Sequence, residues 1–142
     1  MTAAGRPSTG RKYVPEPEGL NLDFHRASVG GTLHLQCCDA CGQFRHPPRY
    51  YCPACSSADW AWIPCSGRGQ VYSWVSTHFT IDRGWVDEVP YATVAVELDE
   101  GPRVVGAWRG ESLAALELEL PVVVVVEPKG EDFAFLWVEP AG

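Results

Sequence analysis

The 142-residue sequence has no apolar run long enough to span a membrane; its longest apolar block, residues 122–126, is strand-length. Basic residues are scarce. Lys and Arg number 11 against 18 Asp and Glu, a net charge of −7. That balance argues against nucleic acid as the main partner, because such binding depends on clustered cations that release counterions. The Gly-x-Ser-x-Gly elbow, the Walker loop and the dinucleotide fingerprint are all missing. Only four histidines occur, His25, His34, His46 and His78, and none sits in a catalytic motif. His46, beside Pro47 and Pro48, is expected on the surface, and His78 reads as a structural histidine on a strand face. No catalytic residue is assigned. Residues 1–12 lack the apolar core of a signal peptide, so a cytoplasmic, thiol-reducing setting is expected.

What the sequence does have is a pair of knuckles, Cys38-Asp39-Ala40-Cys41 and Cys52-Pro53-Ala54-Cys55. Each supplies two thiolates from one turn, the spacing of a tetrahedral Cys₄ metal site. Gly42 follows the first knuckle, where a left-handed residue helps the chain reverse around an ion. Disulfides do not suit a reducing setting, and a redox Cys-x-x-Cys ordinarily opens a helix after a strand. Here both knuckles are flanked by turn residues. Zinc is favoured, with iron left open by the ligand set. Four protein ligands leave no open position, so the metal is expected to be structural. Cys37 reads as a spare thiol beside the site and Cys65 as a packed small hydrophobe.

Along the chain, residues 1–19 read as a disordered or extended arm, rich in Gly, Pro and charge. Residues 20–35 predict a short helix and a lead-in strand. Leu20, Phe24 and Ala27 share one helical face, Asn21 or Asp23 would cap its start, and Gly30-Gly31 ends it. A helix so short must dock on something, either its own body or a partner. Residues 36–65 form the metal ribbon, too small to hold a core without its ion. Residues 66–142 alternate as strands. In the first of them, Val71, Ser73, Val75 and Thr77 are expected on one side, with Tyr72, Trp74, Ser76 and His78 on the other. Four more follow over 91–98, 103–108, 122–127 and 133–139, with a helical turn over 112–118. Five strands with a helical element between the third and fourth predict a mainly β fold built on an OB-fold barrel.

Further motifs stand in order: His46-Pro47-Pro48-Arg49 between the knuckles, Ser66-Gly67-Arg68-Gly69-Gln70-Val71-Tyr72-Ser73 after them, then Pro90-Tyr91 opening a strand that ends in Glu97-Leu98-Asp99-Glu100-Gly101. With the knuckles, these make the chain from about residue 20 onward resemble the DUF35 family, in which a rubredoxin-like zinc ribbon precedes an OB-fold. The resemblance implies Cys38, Cys41, Cys52 and Cys55 as zinc ligands. It also implies a non-catalytic companion of a thiolase-fold enzyme, a thiolase or a lipid-transfer-protein-like aldolase, in a hetero-oligomer. Such a pair would cleave a carbon–carbon bond in an acyl-CoA, including steroid side-chain CoA thioesters. Some relatives are fused to a hydratase domain; this sequence carries none and would act as a separate subunit. Ser66, Gly67, Arg68 and Gly69 are candidate CoA contacts through backbone N–H groups and the guanidinium, against a simple turn. Phe24 and Trp85 are candidate partner anchors. Two other readings are a nucleic-acid-binding OB module, with Tyr72 and Trp74 stacking bases, and a stand-alone acyl-CoA-binding protein.

Overall fold

Prolines and glycines punctuate this chain so often that only short elements form between them. The computed structural model describes residues 12–142, and within them one α-helix, eight strands and a single 3₁₀ turn. Residues 1–11 of the expected arm lie outside the described residues; 12–18 carry no helix or strand.

Helix α1 (Gly19–Ser28) begins without a side-chain cap: Glu18 is the N-cap residue, not Asn21 or Asp23. Tertiary docking holds the helix instead. Phe24 is only 5% exposed, and Ser28 Oγ accepts the His34 N–H at 3.0 Å. Gly31, at φ +104°, turns the chain into β1. Strands β1 (His34–Cys38), β2 (Phe44–Arg45) and β3 (Trp60–Pro64) form an antiparallel sheet in the order β2-β1-β3.

The barrel consists of β4 (Arg68–Thr77), β5 (Tyr91–Leu98), β6 (Arg103–Trp108), β7 (Pro121–Pro128) and β8 (Ala134–Pro140). It closes in the order β4-β5-β6-β8-β7, with β7 returning to β4 at Gly69↔Val122. β6 and β8 run parallel and the other neighbours antiparallel. This is the OB-fold barrel expected from the strand count. The helical element between β6 and β7 is reduced to one 3₁₀ turn, Leu113–Ala115, whose Ala114 N–H is capped by Ser112 Oγ at 3.1 Å. Closure gives the valine-rich β7 a neighbour on each side, which removes the open edge that would invite aggregation.

β5 alternates without interruption, with Ala92, Val94, Val96 and Leu98 inside. β4 does not. Val71 pairs with Val96 but Ser73 pairs with Ala95, leaving Tyr72 as the extra residue of a β-bulge. The bulge swaps the faces beyond it, overturning the expected alternation. Val71 and Trp74 both pack on the core, while Tyr72 and Val75 face out. Tyr72 and Trp74 therefore do not make a shared stacking platform.

Candidate functional site: a cysteine cluster and an aromatic cleft

The two knuckles fold as copies of one turn. In the first, Gly42 N–H bonds Cys38 O at 2.9 Å and Cys38 N–H bonds Gln43 O at 2.9 Å. In the second, Ser56 N–H bonds Cys52 O at 2.8 Å and Cys52 N–H bonds Ser57 O at 2.9 Å. Gly42 and Ser56 occupy the same left-handed position, at φ +74° and +66°. The four Sγ atoms of Cys38, Cys41, Cys52 and Cys55 all lie within 4.8 Å of one another. Two pairs across the knuckles, Cys38–Cys55 and Cys41–Cys52, are each at 3.6 Å. Zinc–sulfur bonds of about 2.3 Å in a tetrahedron separate the sulfurs by about 3.8 Å, so the cluster fits such an ion.

Backbone N–H groups point at the sulfurs. Cys52 Sγ receives the Cys55 N–H, which lowers its pKa to about 6 against the opposing effect of burial, and the Ala54 N–H adds to this. Cys38 is lowered in the same way, first by the Cys41 N–H. Cys41 receives the Gln43 N–H, yet its neighbour Cys52 and burial push it up to about 12. Backbone donors thus already favour the thiolate at Cys38 and Cys52, and a soft cation bound among the sulfurs would take all four as thiolates. Cys37 points away, toward Gly42 O at 3.4 Å. Cys65 is buried, and its thiol is pushed up to about 11 by burial and by the charge of Glu100.

The Ser66–Gly69 turn is used within the chain. Ser66 N–H donates to Glu100 Oε2 at 3.0 Å, and Arg68 N–H donates to Ser66 Oγ at 3.1 Å. A Cβ on Gly67 would come within 2.8 Å of Val124 O, and one on Gly69 within 2.2 Å of Glu97 O. These glycines let neighbouring strands approach where the barrel closes, and a carboxylate already holds the Ser66 N–H.

Phe24 and Trp85 meet at a cleft that the sequence did not reveal. Phe24 packs on His46 (ring centroids 4.8 Å apart) and on Trp62 (6.2 Å), so it anchors α1 to its own body rather than presenting an exposed partner face. Trp85, on the β4–β5 loop, folds back against Tyr91 at 5.4 Å, and Lys12 Nζ sits 5.3 Å from its ring centroid. Between α1, the end of β2 and the outer face of β5, β6 and β8 lies a cleft of about 630 Å³. His25 and His46 form part of its wall. His46 is therefore half-buried against Phe24 in the cleft wall, not out on the ribbon surface; burial pushes its pKa down to about 4, helped by neighbouring His25. His25 stacks on Phe133 at 4.6 Å, and its Nδ1 accepts the Ala134 N–H at 3.1 Å. That bond requires the neutral ring, consistent with the lowering of its pKa by burial. A legible signal did exist: in 133–138 both strand faces are apolar, with Phe133, Phe135 and Trp137 at period two on the outer one.

The ChsH2 rubredoxin-like zinc ribbon domain family matches residues 31–61, and the ChsH2 C-terminal OB-fold domain family matches 62–127. A probable enoyl-CoA hydratase alpha subunit of Thermomonospora curvata is 40% identical over 104 residues, 73% of this chain and 32% of that protein. A 3-oxo-4,17-pregnadiene-20-carboxyl-CoA hydratase alpha subunit of Mycobacterium tuberculosis is 36% identical over 81 residues, 57% of this chain and 25% of that protein. The chain thus spans about a quarter to a third of the length of these curated relatives. A solved chain of the Ltp2–ChsH2(DUF35) aldolase superposes with a TM-score of 0.80 at 32% identity, over 91% of this chain and 100% of that one.

Proposed function

This chain belongs to the DUF35 family, and from that premise we propose that it is a non-catalytic accessory subunit of a thiolase-fold enzyme, an aldolase of the lipid-transfer-protein-like kind or a thiolase. The pair cleaves a carbon–carbon bond in an acyl-CoA, with steroid side-chain CoA thioesters as the substrate class. The observation that carries this reading is the match over the whole of a chain of the Ltp2–ChsH2(DUF35) aldolase. The side chains agree with it. A thioester enzyme needs a nucleophile beside a base, whereas His25 Nδ1 is taken by the Ala134 N–H and His34 Nδ1 faces Thr32 O at 2.7 Å.

In this proposal the ion held by Cys38, Cys41, Cys52 and Cys55 is zinc rather than iron. Bound there, it fixes the ribbon without an open coordination position. Residues 36–65 and 66–142 serve as ribbon and barrel units, and Trp85 lies toward the partner. No helix among the described residues is long and apolar enough to cross a membrane; we place the complex in the cytoplasm, with protein and acyl-CoA rather than nucleic acid as its partners.

The test is a tagged pull-down from the native cell, followed by assay of the recovered pair on a steroid side-chain CoA thioester. A thiolase-fold protein recovered in stoichiometric amount, with cleavage by the pair and not by either chain alone, is the expected result. Full cleavage by the partner alone, or no thiolase-fold protein on folded, metal-loaded bait, overturns the reading.

A further inference from the structure

Two buried polar side chains lie on the face of the ribbon sheet that carries Cys38. Gln36 of β1 is fully buried and Arg45 of β2 is 6% exposed. They stand opposite each other in the sheet, as Cys38 of β1 and Trp60 of β3 do. Residues two apart on a strand share a face, as do residues directly opposite, so Gln36, Arg45 and Cys38 share one. The guanidinium reaches across β1 toward β3, with Cζ 6.0 Å from the Trp60 ring centroid. Among the described residues Arg45 makes no ion pair with a carboxylate. Its Nη1 and Gln36 Nε2 are buried without a hydrogen-bond partner. A buried cation without an anion, and two idle buried donors, cost stability. Stability alone does not explain the pair.

What the pair holds is Arg49. Gln36 Oε1 accepts the Arg45 Nε–H at 2.9 Å and the Arg49 backbone N–H at 2.7 Å, while Arg45 Nη2 donates to Arg49 O at 2.9 Å. One residue is thus gripped at both its N–H and its C=O. Residues 46–59 carry no helix or strand, and among the described residues no backbone–backbone hydrogen bond ties 46–51 to the rest of the chain. His46 packs on Phe24 at the start of this loop; the bonds at Arg49 add direction to that contact. The loop then enters the second knuckle at Cys52 and is tied at its far end by the Asp39 N–H to Asp59 O, at 2.9 Å. The first knuckle closes the β1–β2 hairpin, so strands hold it on both sides. The second is reached through a loop that two side chains fix on its entry side.

We propose that Gln36 and Arg45 form a clamp that presents the second knuckle to the first before an ion arrives, and so set how tightly and how long the metal is held. They are positioning residues, since neither contributes a ligand. An ion captured by loose knuckles must also order the loop, and that entropy loss weakens binding; a loop already in place avoids it. A divalent ion among four thiolates leaves a net negative centre, which gives the unpaired charge of Arg45 a counterpart on its own face. The inference rests on reading Cys38, Cys41, Cys52 and Cys55 as the metal site and is independent of the accessory role.

The experiment uses the purified full chain loaded with zinc, and with cobalt as an optical reporter of thiolate ligation. Loss of metal to a chromophoric chelator is followed below the melting midpoint of the metal-free chain. Arg45→Met and Gln36→Met remove the grip while filling the space. Each is expected to speed release at least about tenfold, as when groups supporting metal ligands are removed. The double variant should be no worse than either single one, because both act through Arg49. Arg45→Lys keeps the charge but not the fork and should fall between. Val96→Ala, in the barrel core, lowers the melting midpoint without touching the loop and should leave the release rate as it is. In the metal-free native chain the Arg49 amide should be protected from hydrogen exchange, and in Gln36→Met it should not. Release as fast from Val96→Ala as from the clamp variants reduces the pair to a structural role and overturns the proposal. Unchanged release from Gln36→Met and Arg45→Lys, or an Arg49 amide protected only when metal is bound, also overturns it. Should either Met variant fail to fold, Arg45→Lys and the Arg49 amide of the native chain decide the question. A chain that takes up no zinc refutes the metal site itself, whereas tight binding that ignores both side chains refutes only the clamp.

Discussion

His46 links one side chain to the pH stability of the whole chain. Its folded pKa of about 4 lies below the ordinary 6.5, so the unfolded chain binds the extra proton between those values. The stability this contributes is complete above pH 6.5 and is lost as pH falls toward 4, about 3 kcal/mol in all. Urea unfolding across this window should show a steep decline in the native protein and a flatter one in His46→Gln; parallel profiles would refute the assignment. The cysteines differ as sharply. With the Cys65 thiol pushed up to about 11 and buried, alkylation of the folded, metal-loaded protein at pH 8 should mark Cys37 and spare Cys65 until denaturant is added. The four cysteines of the metal cluster were legible because a Cys-x-x-Cys turn fixes its own geometry within four residues. His25, His46, Trp85 and Phe135 come from four separate segments, and they meet only through the tertiary packing of helix, ribbon and barrel. No local pattern in the sequence encodes that meeting.

Among the elements, strand existence followed from alternation, and β5 and β6 fall at the expected residues. β4 defeated the same rule. A bulge at Tyr72 is invisible to a period-two count, and it is decided by curvature at barrel closure rather than by the side chains of 70–77. The start of α1 was misplaced for a related reason: tertiary contact through Phe24 replaces a cap. Phe24→Ala should therefore loosen the helix from β1 and β8 at a cost of about 3–5 kcal/mol. Faster hydrogen exchange at Ala134, whose N–H is held by His25 on that helix, would report it. Gly69→Ala places a methyl against Glu97 O and should cost about 1–3 kcal/mol or more by parting β4 from β5. Retained stability would show that the strands separate more easily than this packing implies.

At the scale of the whole molecule, the ribbon and the barrel are not independent bodies. One buried cluster runs from Phe24 of α1 through Leu33 and Leu35, in the segment leading into the ribbon, to Val71, Val96 and Val138 of the barrel. Removing the metal should therefore lower the stability of everything at once. Cys52→Ser, or a strong chelator, is expected to abolish metal binding and to move a single thermal transition downward; a two-step melt with an unchanged upper step would contradict the shared core. The same continuity bears on how such chains can be recombined. A ribbon exchanged between relatives at residue 65 would arrive with Leu33 and Leu35 shaped for another barrel and would leave its new host misfitted at the seam. A chimera that retains its function must carry the helix, the ribbon and the facing barrel valines as one inherited unit, so the divisible piece of this architecture is larger than its metal-binding motif.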